Sequence, residues 1–198
     1  MYGPPLRDKR CLLYRLFADQ AKFWVEWLED DEVRQFIQLD MPPSLADETT
    51  WLAQTEDNPH NIYWGIYVPA DKGNAVDSRF IEYQGQWYQL IGNCVIADIN
   101  LRHQRAETGT VIADKDFWHQ GIASELVVMR RDWAFRNLPL HKLTSGYLAP
   151  NTASGKMQSK AGYKEVGRQK DQFFCNGRWI DRIITEITRE EWEKLVTE

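Results

Sequence analysis

Asp116-Phe117-Trp118-His119-Gln120-Gly121-Ile122-Ala123-Ser124-Glu125 is the stretch of this chain whose residue types come nearest to a binding site. Gly121 and Ala123 are small where a strand gives way to a helix. Small residues let backbone N–H groups approach an anion, and a helix N-terminus adds positive potential. A pyrophosphate suits such a turn. The stretch matches neither the Walker lysine loop nor G-x-G-x-x-G. A second stretch, Asn151-Thr152-Ala153-Ser154, follows a strand and opens a short helix that Lys160-Ala161-Gly162-Tyr163 closes. Taken alone, Asn151 and Ser154 read as helix caps and Gly162 as a helix stop.

The elements that must position these residues are legible from periodicity. Leu12 to Leu16 alternates as a strand. Asp19 is expected to cap a helix through about Leu28, with Phe23, Trp24, Trp27 and Leu28 at helical spacing. Asp30, Asp31 and Glu32 start a second turn ending near Ile37, and Pro42-Pro43 breaks the chain. Ser44 caps a third helix, with Asp47 and Glu48 in its first turn. Strands follow at Ile62–Val68 and, after a loop at 69–79, in a hairpin turning at Gln84-Gly85-Gln86 and running on to Ile96. Glu107–Asp114 is a further strand and 121–137 a helix. Lys142–Leu148 is a strand and Asn151–Ala161 a short helix. A closing hairpin turns at Asn176-Gly177. Thr188 caps a final helix, with Glu191 as its box partner.

This order predicts an α/β or α+β fold with a mixed sheet. The chain has 198 residues, which suits one domain, and the hairpin region 69–87 reads as an insertion. Hydrophobic residues make up 43% and charged residues 27%, a globular balance. Twenty-four basic against 29 acidic residues argue against a dedicated nucleic-acid binder. No apolar run nears the ~18 residues of a bilayer span, and MYGPPLRDKR lacks the apolar core of a secretory signal. A cytoplasmic protein with no membrane partner is expected. Cys11, Cys94 and Cys175 are odd in number and dispersed, so neither a disulfide framework nor a zinc site is expected, and each reads as a small buried hydrophobe. Trp24, Trp27, Trp51 and Trp64 either pack or line a pocket.

The two stretches together, about thirty residues apart with a helix and a strand between them, resemble the GNAT superfamily of acetyl-CoA-dependent N-acetyltransferases. Phe117–Ala123 resembles its pyrophosphate loop. Asn151–Ser154 with Gly162-Tyr163 resembles its N-x-x-S…G-F ending, and Glu107-Thr108-Gly109 its E-x-G. Trp27-Leu28-Glu29-Asp30-Asp31-Glu32-Val33-Arg34 resembles the W-L-x-D-x-x-V-R start of the ribosomal-protein-alanine N-acetyltransferase branch. Together these span Leu12 to Ile187. Three positions depart from the pattern. Trp118 stands three residues before Gly121, where the superfamily loop usually opens with Gln or Arg, as is frequent in this branch. Gln158 stands where many members carry a tyrosine acid, and Tyr163 replaces the usual Phe.

The resemblance implies a single N-acetyltransferase domain with a central mixed, mostly antiparallel twisted sheet flanked by helices. It implies acetyl-CoA as cosubstrate and no metal. Pantetheine is expected along the backbone of Val111 and Ile112, as an added strand. Trp118, His119, Gln120, Gly121, Ile122, Ala123 and Ser124 would hold the pyrophosphate, and Asn151 and Ser154 the pantetheine end. Glu107 is the first candidate for the base, Asp98 the second, and His103 and His119 complete the set. Ser154 is the candidate proton donor or hydrogen-bond partner for the departing thiolate. Lys156 and Lys160 can meet a cofactor phosphate. Trp27 and Asp98 are candidate acceptor-binding residues. The acidic run 29–32 can steer a cationic amine, and Phe173, Phe174 and Trp179 can wall the acceptor.

Expected, then, is acetyl transfer to a primary amine by direct attack in a ternary complex, with a protein N-terminus favoured. The alternatives are a small amine (aminoglycoside, polyamine or amino sugar) and a silent acyl-CoA-binding module, to which the missing tyrosine at 158 would point. The paired hairpins and aromatic surface admit a homodimer.

Overall fold

The computed structural model describes residues 1–37, 39, 41–74 and 77–197. Two residues of the expected 69–79 loop, Ala75 and Val76, lie outside the described residues. The chain falls into two compact units. One holds Met1–Val95 and Thr110–Ile122, the other Ile96–Gly109 and Ala123–Glu198.

In the first unit, β1 (Leu6–Arg7), β2 (Leu12–Tyr14), β3 (Ile62–Ala70), the part of β5 (Gln86–Asn100) up to Val95 and the part of β6 (Arg105–Ile112) from Thr110 are neighbours in that order, and β4 (Phe80–Tyr83) pairs with β5. The pairs β1–β2, β2–β3 and β4–β5 are antiparallel. Gln84 and Gly85 join β4 to β5, both with positive φ (51° and 79°), as a two-residue hairpin turn of the primed type demands. Three helices follow β2 in sequence: α1 (Ala21–Glu29), α2 (Asp31–Arg34) and α3 (Leu45–Asp57). Leu12, Leu16, Ala21, Leu52, Tyr67, Tyr88 and Leu90 form a buried cluster, with Trp27 and Trp51 half-buried against it.

Asp19 does not cap α1. A 3-10 turn at Ala18–Gln20 comes first, and the helix starts at Ala21. Gln20 is fully buried. Its side-chain oxygen accepts from Phe17 N (3.0 Å) and Tyr67 Oη (2.9 Å), and its nitrogen donates to the Ser78 carbonyl (2.9 Å). These bonds fix the entry to the helix more firmly than one exposed carboxylate does. Ser44 caps α3 as expected, exchanging bonds with Asp47. The strand expected to stop at Ile96 runs to Asn100, and the one expected at Glu107–Asp114 spans Arg105–Ile112.

In the second unit the strand order is the end of β5 from Ile96, the start of β6 up to Gly109, β7 (Lys142–Leu148), β9 (Arg178–Thr188) and β8 (Lys164–Cys175). β6 and β7 are parallel, with Glu107 opposite Thr144. The connection between them contains α4 (Ile122–Asn137), as a parallel crossover requires. β7–β9 and β8–β9 are antiparallel. The paired strands are thus mixed and mostly antiparallel, as expected. Leu126, Ala134, Phe135, Leu143, Tyr163, Ile187 and Trp192 are buried here. Helix α5 spans Thr152–Lys160 and helix α6 Arg189–Thr197. Thr188 and Glu191 close the expected box at the start of α6, Glu191 accepting from Thr188 N at 2.9 Å. Cys11 and Cys94 are buried, whereas Cys175 is only half-buried, a departure from the expectation for all three. No described helix is long and apolar enough to cross a membrane.

Candidate functional site

The first unit carries most of the anion-loop candidates: Val111, Ile112, Trp118, His119, Gln120, Gly121 and Ile122, with the acceptor candidate Trp27. The second carries Ala123, Ser124, Glu107, Asn151, Ser154 and Asp98.

The loop is built by its own side chains. Asp114 accepts from Asp116 N (3.1 Å) and caps a 3-10 turn at Lys115–Phe117. Burial pushes the Asp114 carboxyl above its usual range. The Trp118 indole N–H donates to the Ile112 carbonyl (2.8 Å), and Gln120 donates to the Asp116 carbonyl (2.7 Å). Arg10 donates to the Gln120 carbonyl from outside the loop. His119 (φ 60°) and Gly121 (φ 81°) are left-handed, and this reversal delivers the chain into α4. The first N–H groups of any helix lack intrahelical partners, which makes a turn of this kind a candidate anion site. Trp118 also packs beside Trp24, Leu28, Val33 and Ala113, so its ring is a structural wall of the loop. Gly92 of β5 faces β6, where an added Cβ would lie 2.0 Å from the Val111 carbonyl oxygen. The Ile112 carbonyl is thus taken by the Trp118 indole, and the Val111 carbonyl lies close against Gly92.

In the second unit, Asn151 caps α5, its side-chain oxygen accepting from Ser154 N at 3.1 Å. The other end closes as a Schellman motif. Tyr163 N donates to the Gln158 carbonyl (3.0 Å), Gly162 N donates to the Ser159 carbonyl (3.0 Å), and Gly162 has φ 85°. Ser154 and Gln158 stand four residues apart on one helix face. Gln158 Nε2 donates to Ser154 Oγ at 3.1 Å, and Gln158 Oε1 accepts from Thr185 Oγ1. The buried Tyr163 hydroxyl meets Thr108 Oγ1 at 3.2 Å, which satisfies the extra oxygen of this Phe-to-Tyr departure.

Glu107 is half-exposed and accepts a hydrogen bond from Arg182 Nη2 in an ion pair. Arg182 reaches it over Gly146, where a Cβ would lie 2.6 Å from Arg182 Nε. Arg182 and Gly146 were not singled out from the sequence. A glycine inside a strand, the usual sign of a close approach, was the available signal.

The remaining candidates separate. Trp24 is core. Trp27 is half-buried, edge-on to Trp24 at 5.4 Å and tilted against Phe23. Asp98 is exposed, with φ 51°, where the β5 backbone turns left-handed. His103 and His119 are exposed, as are Lys156 and Lys160. Phe174 and Trp179 lie tilted against each other at the exposed tip of the β8–β9 hairpin, with ring centroids 5.2 Å apart. Three of the four carboxylates in the acidic run 29–32 are paired with cations. Lys115 Nζ sits 2.6 Å from Asp30 and 3.0 Å from Glu32, and Arg34 pairs with Asp31. Lys115 also holds the Asp30 carboxyl below the usual carboxylate range.

The described residues thus hold a strand-to-helix turn with two left-handed residues, an Asn-capped helix bearing a serine, and a parallel β6–β7 pair joined through α4. The chain belongs to the GNAT acetyltransferases: the acetyltransferase (GNAT) domain matches residues 10–164. It is 32% identical over 107 residues to the spermidine N(1)-acetyltransferase of Vibrio cholerae, which covers 53% of this chain and 60% of that one. It is 25% identical over 73 residues to the [ribosomal protein uS5]-alanine N-acetyltransferase of Escherichia coli, 37% of this chain and 38% of the relative. Among solved structures, the spermidine N-acetyltransferase of Vibrio cholerae in complex with CoA and spermine superposes with a TM-score of 0.78 at 18% identity, over 94% of this chain and 99% of that one. This likeness shows the fold.

Proposed function

We propose that this N-acetyltransferase uses acetyl-CoA to acetylate the α-amino group of a protein or peptide N-terminus. The observation that carries the acceptor class is Lys115 against Asp30 and Glu32. A polyamine needs open carboxylates for its several charges. Here two carboxylates of the 29–32 run are held by Lys115 and a third by Arg34, which leaves the stretch suited to an acceptor with one amine. The α-amine titrates near 8, against roughly 10.4 for a lysine-type amine, so its neutral form is available near neutral pH with modest help.

In this reading the acceptor nitrogen attacks the thioester carbon. The C–N bond forms, the C–S bond breaks, and its electron pair passes to sulfur. The acceptor proton leaves through Glu107, directly or by way of water. Ser154 donates a hydrogen bond to the departing thiolate, which then takes a proton from solvent. Residues 118–124 hold the pyrophosphate, and Val111 and Ile112 offer their backbone N–H groups to pantetheine. Asp98 and Trp27 are proposed to border the acceptor. Among the described residues no group of three His, Cys, Asp or Glu side chains is placed to hold a metal.

A small-amine acceptor is the second reading, favoured by the identity shared with the spermidine enzyme. Thiol release from acetyl-CoA against N-terminal peptides, polyamines, aminoglycosides and amino sugars tests both. Turnover confined to free N-termini supports the first reading, and turnover confined to small amines replaces it.

A further inference from the structure

We propose that Gln158 is a positioning residue that reserves the Ser154 hydroxyl proton for the CoA sulfur. This rests on the assignment of Ser154 to the thiolate made above.

The argument is one of donors and acceptors. A carboxamide nitrogen only donates, and a hydroxyl has one proton and two lone pairs. Gln158 Nε2 donates to Ser154 Oγ at 3.1 Å, so in this bond Ser154 is the acceptor and keeps its own proton. The amide would lose this property if turned over, because its oxygen would then take the serine proton. Thr185 holds the orientation by donating to Gln158 Oε1. Gln158 and Thr185 are each 4% exposed, so water does not compete for the amide.

The backbone supports the same geometry from both ends. Asn151 fixes the Ser154 amide, and the Schellman motif fixes the Gln158 carbonyl. Ser154 and Gln158 therefore meet on one helix face that is held by the cap at one end and by the Schellman motif at the other.

Gln158 stands where many family members carry a tyrosine, and an amide has no ionisable proton to give. The glutamine therefore does not replace the acid. It directs a neighbouring hydroxyl, through a chain running Thr185 to Gln158 to Ser154 to sulfur, with every hydrogen bond donated in the same sense. Bonds arranged in this way polarise one another. As C–S cleavage places charge on sulfur, the serine hydroxyl donates to it and Gln158 steadies the charge drawn onto Oγ.

The test uses the intact protein with bound CoA and needs no acceptor. The CoA thiol is titrated by its ultraviolet thiolate absorbance, free and bound. A hydrogen bond donated to the thiolate favours the charged form, so bound CoA should titrate about 1 pH unit below free CoA. Ser154→Ala should abolish that shift. Gln158→Met, an apolar chain of similar length, should remove at least half of it while leaving CoA affinity within about threefold. The double variant Gln158→Met with Thr185→Val, which leaves no buried hydroxyl facing the methionine, serves if the single variant folds poorly, and should give the same loss. A full shift retained in these Gln158 variants, with loss in Ser154→Ala, overturns the role of Gln158 and leaves that of Ser154 standing. No shift in the unaltered protein, or a shift unchanged in Ser154→Ala, overturns the assignment of Ser154 itself.

Discussion

Arg182 holds Glu107 in an ion pair across the space that Gly146 leaves open. The proposed base is therefore a carboxylate oriented by a guanidinium. Gly146→Ala would set a Cβ 2.6 Å from Arg182 Nε and 3.0 Å from the Ile183 carbonyl, so the arginine must move. Overpacking of this kind costs about 1–3 kcal/mol, or roughly 2–10 °C in melting temperature for a chain of this size. Glu107→Gln should lower turnover ~10²-fold with little change in melting. Steady-state kinetics and thermal melts on both variants check this. A Glu107→Gln enzyme with unaltered rate and pH–rate profile removes Glu107 as the base.

Gly121 separates backbone strain from ligand repulsion. Its φ of 81° costs a non-glycine residue about 1–2 kcal/mol. Gly121→Ala should show that loss as lowered stability and keep most acetyl-CoA affinity. Gly121→Glu adds a negative charge beside the pyrophosphate and should cost at least tenfold more affinity than Gly121→Ala. Calorimetric titration with acetyl-CoA measures both, and equal affinities would move the pyrophosphate elsewhere.

Lys115→Met should uncover Asp30 and Glu32. The expected outcome is polyamine acetylation severalfold above the background of the unaltered protein, with peptide turnover changed less than threefold. Polyamine acetylation that stays at background would show that this acidic stretch lies away from the acceptor.

Glu191 makes acid stability measurable in the second unit. Lys164 foremost, then the Thr188 N–H, hold its carboxyl down to about 2. A depressed carboxyl contributes stability that is whole above its unfolded value, near 4.5, and is shed as pH falls from there towards 2. Lys164 is exposed, so solvent screens its pair with Glu191. Glu191→Gln keeps a capping side chain and loses the charge. Its melting temperature should lie about 1–3 °C below that of the unaltered protein at pH 6 and converge with it near pH 2.5. Parallel pH–melting curves would contradict the cause given.

What the sequence revealed was mostly local. The Ser44 cap, the Thr188–Glu191 box, the Asn151 cap and the Gly162 stop each lie within a few residues of their partners, and each formed. Asp19 misled because Gln20, beside it, is tied to Tyr67 and Ser78 far along the chain. The same distance hid the contacts of greatest chemical interest. Glu107 meets Arg182 75 residues later, Gln158 meets Thr185 27 later, and Glu32 meets Lys115 83 later. Such pairs depend on strand register and chain path, which residue type and spacing do not encode. Gln158 was visible only as a missing tyrosine, and its buried bonds give that position a different use.

A competition in one vessel bears most directly on the central claim. Acetyl-CoA is supplied with equal concentrations of a peptide bearing a free N-terminus, the same peptide with that amine blocked, and spermidine, and the products are read by mass spectrometry. The account predicts acetyl on the free α-amine and none on the blocked peptide, with spermidine at background. Acetyl-spermidine with an unmodified peptide would contradict the proposed acceptor and install the small-amine reading in its place.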